Sequence, residues 1–155
     1  VIGFPLGYNT TACKVFEAQQ AIQEGASEVD MVVNLGDVKN GDFEAVESEI
    51  AVLKNAVGNN ILKVIVETCY LTENEKIRLC QCVTNAKADY IKTSTGFGTA
   101  GATLADIHLF QEHIGPDVKV KAAGGIRTQE DLEAFYAAGC DRLGCSAAVK
   151  VLCSK

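Results

Sequence analysis

Apolar residues in this chain follow two spacings, one typical of buried strands and the other of amphipathic helices. The run at 28–34 is almost continuously apolar, as in a strand covered on both faces of a parallel sheet. Between Phe43 and Val57 the apolar residues instead recur at helical spacing, which predicts a helix with one buried face. Segments of these two kinds alternate along the chain.

The alternation predicts six strands, each followed by a helix through a short connection. The strands are predicted at 1–4, 28–34, 61–67, 88–92, 118–122 and 142–145. The helices are predicted at about 11–24 and 42–57, after the capping residues Thr72, Thr103 and Thr128, and briefly at the carboxyl end. Such β-α units form right-handed crossovers and a parallel sheet, so the fold class is α/β.

Two parallel architectures fit this order of elements, an open doubly wound sheet and a TIM (β/α)8 barrel. A dinucleotide-binding sheet carries its glycine-rich turn after its first strand. Here the prominent glycine turns, Gly124-Gly125 and 144–146, follow the last two predicted strands. Barrels bind phosphate with the loops after strands seven and eight, so we expect a barrel of which about the last six β-α units are present.

On this numbering, residues 1–155 form a single barrel domain that comprises strands three to eight. No repeat, low-complexity linker or shift in composition divides the chain. A complete barrel of this type needs about 250 residues, and this sequence begins without Met and directly with a predicted strand. We therefore expect it to be N-terminally incomplete, by about two β-α units.

Composition narrows the possible partners. The net charge of −6 and the pI near 4.9 argue against nucleic acid and membrane partners, because both select clustered Lys and Arg. Small anionic substrates are compatible, since a few cations or backbone amides suffice to bind them. Seven cysteines without framework spacing indicate reduced thiols and a cytoplasmic location. With only two histidines to complete a site beside Cys80 and Cys82, we expect no metal and no other cofactor.

Lys92 ends the predicted strand at 88–92, just before a glycine-rich turn. In a sheet covered on both faces its amine would be desolvated, and burial favours the neutral, nucleophilic form of a lysine. The alternative is that the side chain extends from the strand end into water. The strand alone is compatible with both interpretations.

Lys121 and Asp30 are the other candidates for chemistry. Lys121 lies near the carboxyl end of the next strand, about 5 Å from the Lys92 strand, and two adjacent ammonium groups lower the pKa of at least one. Asp30 places a charge inside an apolar strand, where a lone carboxylate is seldom buried without a partner. Lys121 could instead be solvated, and Asp30 could form a structural ion pair rather than transfer protons through water. Lys63 and Glu67 are interior candidates for a stabilising charge network.

The glycine turns are candidates for binding an anion. Gly124 and Gly125 allow the main chain to approach a ligand closely, and Gly144 precedes Ser146 in the second turn. Ser146 offers a hydroxyl at the predicted start of the last helix, beside free N–H groups. A single Gly-Gly turn is a weak signal, whereas two turns at the positions that barrels use for phosphate are more specific.

These residues lie in motifs that resemble the deoxyribose-phosphate aldolase family. The resemblance runs along nearly the whole chain and rests on five ordered motifs. They are Val-Asp-Met-Val-Val at 29–33, Lys-Val-Ile-Val-Glu-Thr at 63–68, Lys-Thr-Ser-Thr-Gly-Phe-Gly at 92–98, Lys-Ala-Ala-Gly-Gly-Ile-Arg-Thr at 121–128 and Arg-Leu-Gly-Cys-Ser at 142–146.

The resemblance implies a class I aldolase that cleaves 2-deoxy-D-ribose 5-phosphate to D-glyceraldehyde 3-phosphate and acetaldehyde without a metal, in deoxyribonucleotide catabolism. It implies that Lys92 forms the Schiff base, that Lys121 perturbs the pKa of Lys92 and aids proton transfer, and that Asp30 belongs to the proton relay. It further implies that the two glycine turns hold the substrate phosphate, and it is compatible with a homodimer. Two family features, an acidic relay residue and a substrate-side cysteine, belong to β-α units that precede this sequence.

Two other interpretations remain open. One is a different phosphosugar aldolase that also uses a Schiff base, and the other is a non-catalytic barrel fragment that associates with itself or with a complete barrel. The presence of Asp30, Lys92 and Lys121 together argues against a chain that has lost catalysis. The absence of the first two units keeps the fragment hypothesis open.

Overall fold

The computed structural model describes residues 1–153 and contains one parallel sheet with helices along one side. The strands are β1 (Glu28–Val32), β2 (Ile61–Ile65), β3 (Tyr90–Lys92), β4 (Lys119–Ala123) and β5 (Arg142–Gly144). The helices are α1 (Thr11–Gln23), α2 (Leu35–Asn40), α3 (Phe43–Val57), α4 (Glu73–Asn85), α5 (Leu104–His113), α6 (Gln129–Ala137) and α7 (Ala148–Cys153), with a 3-10 turn at Thr68–Tyr70. No helix in the described part of the chain is long and apolar enough to cross a membrane.

The five strands are hydrogen-bonded in sequence order, and every neighbouring pair is parallel. At least one helix lies between each strand and the next along the chain. Strands that pair strictly in sequence order with helical crossovers form the wall of a β/α barrel, whereas a doubly wound sheet reverses its strand order at a switch point. The predicted α/β class and parallel sheet are confirmed.

Residues 1–4, predicted as the first of six strands, contribute only one bridge to the sheet, between Ile2 and Met31. The Ile2 N–H donates to the Asp30 carbonyl at 2.8 Å, so the segment lies beside β1 as expected. Pairing ends there because Gly3 has a left-handed backbone (φ 61°), which interrupts an extended strand. The prediction was correct in place and wrong in length.

The sheet curves so strongly that its two outermost strands touch through their side chains. Arg142, the first residue of β5, donates to both carboxylate oxygens of Glu28, the first residue of β1, with Nη2 at 3.2 Å from Oε1. In a flat sheet these strands would lie about 19 Å apart, since neighbouring strands are spaced by about 4.8 Å. No pair of side chains spans that distance, so the contact requires the curvature of a barrel wall.

The two faces of the sheet differ in chemistry because successive side chains of a strand point to opposite sides. The outer face is apolar: Met31, Val64 and Ile91 are fully buried in one core against the helices. Alternate positions face the concave inner side, and there Asp30 and Lys92 are buried together. The apolar run of β1 thus conceals one inward-facing carboxylate.

Helix boundaries follow local capping signals. Thr72 accepts from the Glu75 N–H while the Glu75 carboxylate accepts from the Thr72 N–H at 2.7 Å, which confirms the capping box. Thr103 and Thr128 cap α5 and α6 as predicted. Helix α2 was not predicted because its 6 residues are too few to display a 3.6-residue period.

A buried ion pair joins the helical layer to the end of β1. The Lys14 ammonium on α1 is fully buried and donates to Glu49 Oε2 on α3 at 2.7 Å and to the Val32 carbonyl at 2.9 Å. Burial of two charges is tolerated only where both are paired and hydrogen-bonded. The pair therefore fixes the carboxyl end of β1, the strand that carries Asp30.

Candidate active site

The inner face is organised around the carboxylate of Asp30. Its Oδ2 accepts hydrogen bonds from Lys92 Nζ at 2.8 Å and from Lys121 Nζ at 2.7 Å. Its Oδ1 accepts from Lys63 Nζ at 2.7 Å. The structure thus brings together the three residues predicted to carry the chemistry, and Lys63 joins them from the predicted charge network.

Strand register explains why these side chains meet. Asp30 on β1 lies opposite Lys63 on β2, and Lys92 on β3 lies opposite Lys121 on β4. Residues in parallel register on neighbouring strands point to the same face, about 4.8 Å apart. The curvature of the sheet then carries the lysines of β3 and β4 across to the carboxylate on β1.

Burial and charge set the protonation of this cluster. The Asp30 and Lys92 residues are only 8% and 7% exposed. Burial by itself would raise the pKa of Asp30, but hydrogen bonds from three lysines outweigh it and hold that pKa well below its ordinary value. Desolvation, reinforced by the charges of neighbouring lysines, lowers the pKa of Lys121 despite its bond to Asp30. Asp30 is therefore an anion, and Lys121 gives up its proton more readily than a free lysine does.

This arrangement suits chemistry on a carbonyl compound. One carboxylate faces three ammonium groups, so the site carries excess positive charge and favours release of a proton by a lysine. A neutral lysine is a nucleophile toward carbonyl carbon, and an adjacent ammonium is a proton donor. Lys92 and Lys121 share one carboxylate oxygen, Asp30 Oδ2, which allows protons to be exchanged within the site.

Glu67 is buried, but its hydrogen bonds differ from the stabilising charge network for which the sequence made it a candidate. Its Oε1 accepts from the Thr95 N–H at 3.1 Å, and its Oε2 accepts from the Thr95 hydroxyl. The residue adopts a left-handed backbone (φ 56°) just after β2. Glu67 therefore fixes the loop that follows Lys92, and it forms no ion pair with the lysines of the cluster, whose partners are Asp30 and Glu28.

The first glycine turn is shaped by contacts that the sequence did not reveal. Gly124 and Gly125 both have positive φ, 83° and 79°, and the Thr93 hydroxyl is 3.1 Å from both the N–H and the carbonyl oxygen of Ala123. A Cβ atom at Gly101 would lie 2.2 Å from the Gly124 carbonyl oxygen, so only glycine permits the two loops to pack. The excess of glycine in the 96–101 loop was the signal for this contact.

The second glycine turn lies at the end of the neighbouring strand. Gly144 ends β5 in register with Ala123, and a Cβ at Gly144 would lie 3.0 Å from the Ala123 Cβ. Ser146 is exposed and precedes the first residue of α7, Ala148, by two positions, so it lies outside the helix that it was predicted to start. Both turns lie at the carboxyl edge of the sheet, on adjacent strands.

Substitution Asp30→Asn tests the charge balance of the cluster. We expect the free energy of unfolding to fall by about 3 kcal/mol at neutral pH, because three ammonium groups lose their counter-ion. Since the pKa of Asp30 is lowered in the folded protein, its stabilising contribution is present above about pH 4 and is lost as the pH falls below that value. We would measure urea unfolding of the unsubstituted protein and of Asp30→Asn from about pH 7 down to pH 2. Their free energies of unfolding should converge as the pH falls below about 4.

Glu112→Gln, which removes a carboxylate from the exposed surface of α5, is the control for the loss of one negative charge. Its stability should follow that of the unsubstituted protein throughout the titration. A difference between Asp30→Asn and the unsubstituted protein that stays constant down to the lowest pH would contradict the lowered pKa of Asp30.

Known proteins are similar to this chain in sequence and in fold. Residues 5–138 match the DeoC/LacD family aldolase model. A Clostridium botulinum (strain Eklund 17B / Type B) deoxyribose-phosphate aldolase is 63% identical over 152 residues, which cover 98% of this chain and 69% of that protein. A Clostridioides difficile (strain 630) deoxyribose-phosphate aldolase is 59% identical, with the same coverage.

Solved structures agree with this assignment. The aldolase QR15 superposes with a TM-score of 0.93 at 41% identity, over 97% of this chain and 68% of its own. The tetrameric deoxyribose phosphate aldolase of Aeropyrum pernix superposes with a TM-score of 0.87 at 36% identity, over 97% of this chain and 64% of its own. The sheet is thus part of a TIM-barrel aldolase fold, and the chain belongs to the DeoC/LacD aldolase family.

Proposed function

We propose that this chain is a class I deoxyribose-phosphate aldolase, which cleaves 2-deoxy-D-ribose 5-phosphate to D-glyceraldehyde 3-phosphate and acetaldehyde. The observation that carries the proposal is the buried Lys92 ammonium, held 2.8 Å from a carboxylate oxygen that also binds Lys121. A lysine in this setting has the partners that Schiff-base formation and proton transfer require. The names of the relatives supply the substrate.

Lys92 is the proposed nucleophile. Its neutral amine adds to the aldehyde carbon of the open-chain sugar, and uptake of one proton with loss of one water leaves an iminium ion. The C2–C3 bond then breaks, and its electron pair enters the iminium as a neutral enamine while the C3 hydroxyl loses its proton. Glyceraldehyde 3-phosphate leaves, and C2 of the enamine takes up a proton, which regenerates an iminium ion. Water then hydrolyses this iminium to acetaldehyde and the free amine, and one proton is released.

Lys121 and Asp30 are the proposed proton-transfer groups. The lowered pKa of Lys121, caused first by desolvation, fits a residue that releases its proton more readily than a free lysine does and can take part in proton transfer. Asp30 stays anionic and holds both amines on one oxygen, so a proton lost by one can be taken by the other. Lys63 completes the cluster on the remaining oxygen of the carboxylate.

The proposed phosphate site comprises Gly124, Gly125, Gly144 and Ser146. Adjacent turns at the carboxyl ends of β4 and β5 support it, because barrels present phosphate-binding loops at that edge after strands seven and eight. On this basis β4 and β5 correspond to strands seven and eight. Residues 1–4 then take the place of strand three, within a single barrel domain.

A reduced, cytoplasmic setting and a homodimer complete the proposal. All seven cysteines are free, and burial raises the pKa of the Cys80 thiol to about 12, which marks it as a core residue rather than a nucleophile. Large apolar side chains at Leu6, Phe16 and Phe97 are more than half exposed. Such surfaces are commonly covered by another subunit, and the Aeropyrum pernix relative is tetrameric.

Reduction with borohydride in the presence of 2-deoxyribose 5-phosphate tests the nucleophile. We expect a covalent adduct on Lys92, located by mass spectrometry, and its loss in Lys92→Ala. Lys87→Asn is the control, because Lys87 is exposed and has a left-handed backbone (φ 57°) that asparagine tolerates. An adduct on a different lysine would reject Lys92 as the nucleophile.

The same reaction separates the alternatives. A different phosphosugar aldolase would give the Lys92 adduct with other phosphorylated aldehydes but not with 2-deoxyribose 5-phosphate. A non-catalytic fragment would give no adduct with any of these aldehydes, even when circular dichroism shows that the protein is folded.

Substitution Ser146→Ala tests the phosphate site. We expect KM for 2-deoxyribose 5-phosphate to rise about five- to tenfold, the value of one lost hydrogen bond of about 1 kcal/mol or slightly more to an anion. With unphosphorylated 2-deoxyribose the substitution should have no effect. An equal effect on both substrates would place Ser146 outside the phosphate site.

Analytical ultracentrifugation tests self-association. At micromolar concentration we expect a species of twice the chain mass of 16.5 kDa. Phe97→Ser and Phe16→Ser reduce the exposed apolar surface at two separate places, and we expect at least one of them to weaken the dimer. A monomer at all concentrations would reject this part of the proposal.

A further inference from the structure

An ion chain lies on the inner face beside the reactive lysines. Arg142 donates two N–H groups to the Glu28 carboxylate, and Lys63 Nζ lies 2.8 Å from Glu28 Oε2. We call Arg142, Glu28 and Lys63 the inner ion chain. The sequence alone indicated no chemical role for Arg142, and for Lys63 it indicated only a stabilising charge network.

Lys63 connects this chain to the site. Its ammonium is 2.7 Å from Asp30 Oδ1 and 2.8 Å from Glu28 Oε2, and the residue is only 3% exposed. Two carboxylates therefore share one buried cation. Any change in the charge of Glu28 alters how strongly Lys63 binds Asp30, and through Asp30 it reaches the other two lysines.

The charges on the inner face do not cancel. Asp30 and Glu28 are the carboxylates in the cluster, and hydrogen bonds from Arg142 and Lys63 lower the pKa of Glu28 to about 2, so it is ionised at any pH near neutrality. The charged or titratable side chains facing the site are Glu28 and Asp30 from β1, Lys63 from β2 with Glu67 just beyond it, Tyr90 and Lys92 from β3, Lys119 and Lys121 from β4, and Arg142 from β5.

We propose that the Glu28–Arg142 ion pair positions Lys63 and thereby sets the fraction of neutral amine at the reactive lysines. The consequence of this effect for catalysis rests on the proposed aldolase function. Glu28 forms ion pairs with Arg142 and with Lys63, and neither Glu28 nor Arg142 forms a hydrogen bond or ion pair with Lys92 or Lys121. Arg142 lies opposite Lys121 in the register of β4 and β5, and both members of the pair are positioning residues. Their influence is electrostatic: it is transmitted through the shared ammonium of Lys63, and the charge of Arg142 also acts on its register neighbour Lys121 in the same direction.

The proposal predicts effects of opposite sign for the two halves of one ion pair. Glu28→Gln removes a negative charge, so the remaining positive charge favours neutral amine and the acid-side midpoint of the pH profile moves down. Arg142→Gln leaves the full Glu28 charge facing the lysines, so they retain protons and the midpoint moves up. The double substitution leaves the net charge unchanged and returns the midpoint toward its original value.

A purely structural brace between β1 and β5 would behave differently. Both single substitutions would then loosen the same contact and lower activity and stability together, without opposite movement of the midpoint. Arg142→Lys adds a second distinction, because it keeps the charge and loses the two-pronged contact with Glu28. If the role is electrostatic, Arg142→Lys keeps the original midpoint of the pH profile. If the pair is a structural brace that depends on the two-pronged guanidinium contact, Arg142→Lys lowers activity and stability.

Two pH profiles measured on the whole chain test the proposal. The first is the rate of borohydride trapping with 2-deoxyribose 5-phosphate. The second is the rate of acetylation of Lys92 and Lys121 by acetic anhydride, followed by mass spectrometry, which reports neutral amine without any catalysis. We expect midpoint shifts of about half a pH unit or more, as for unit charges separated by roughly 10 Å at a partly buried site. Glu112→Gln on α5 is the control and should shift neither profile.

Shifts of the same sign in both single variants, or no shift in either, would overturn the proposal. If trapping fails in every protein but the acetylation midpoints move in opposite directions, the ion pair has its proposed effect and the aldolase function is wrong. If only one single variant folds, the direction of its shift decides. If neither folds, the folded double variant must keep the original midpoint, and failure of all three to fold would make the pair a structural brace.

Discussion

The structure depends on one carboxylate that faces more positive charge than it can neutralise. Asp30 is buried and accepts hydrogen bonds from Lys63, Lys92 and Lys121. Without it, three ammonium groups would face one another inside the sheet, and without them the carboxylate would be buried unpaired. The same imbalance that holds Asp30 ionised also favours release of a proton by a lysine, so stability and reactivity have one origin.

The barrel wall makes this cluster possible. Parallel strands in register place Asp30 and Lys63 side by side, and Lys92 beside Lys121. Curvature then brings the two ends of the sheet together, as the contact between Glu28 and Arg142 shows. The outer helices exclude water from the other face, so the polar residues of the strands have only the inner side available.

Glycine has a separate part in the architecture, at the carboxyl edge of the sheet. The Gly124 turn is held against Gly101 and beside the end of β5 at Gly144, in space that side chains would fill. The glycine turns are therefore held in place by close packing of the main chain. The proposed anion site lies at the carboxyl ends of β4 and β5, and Lys121 lies two residues before the end of β4.

The sequence by itself determined the parallel α/β order and the helix caps, and it made Asp30, Lys92 and Lys121 the candidate residues, because periodicity, capping and a charge within an apolar strand are local signals. Only the tertiary structure decided that residues 1–4 form a single bridge, that Glu67 binds the Thr95 loop, and that β1 and β5 meet through an ion pair. These three contacts depend on the curvature and register of the sheet. Curvature and register arise from all the strands together and cannot be inferred from the sequence of any one strand.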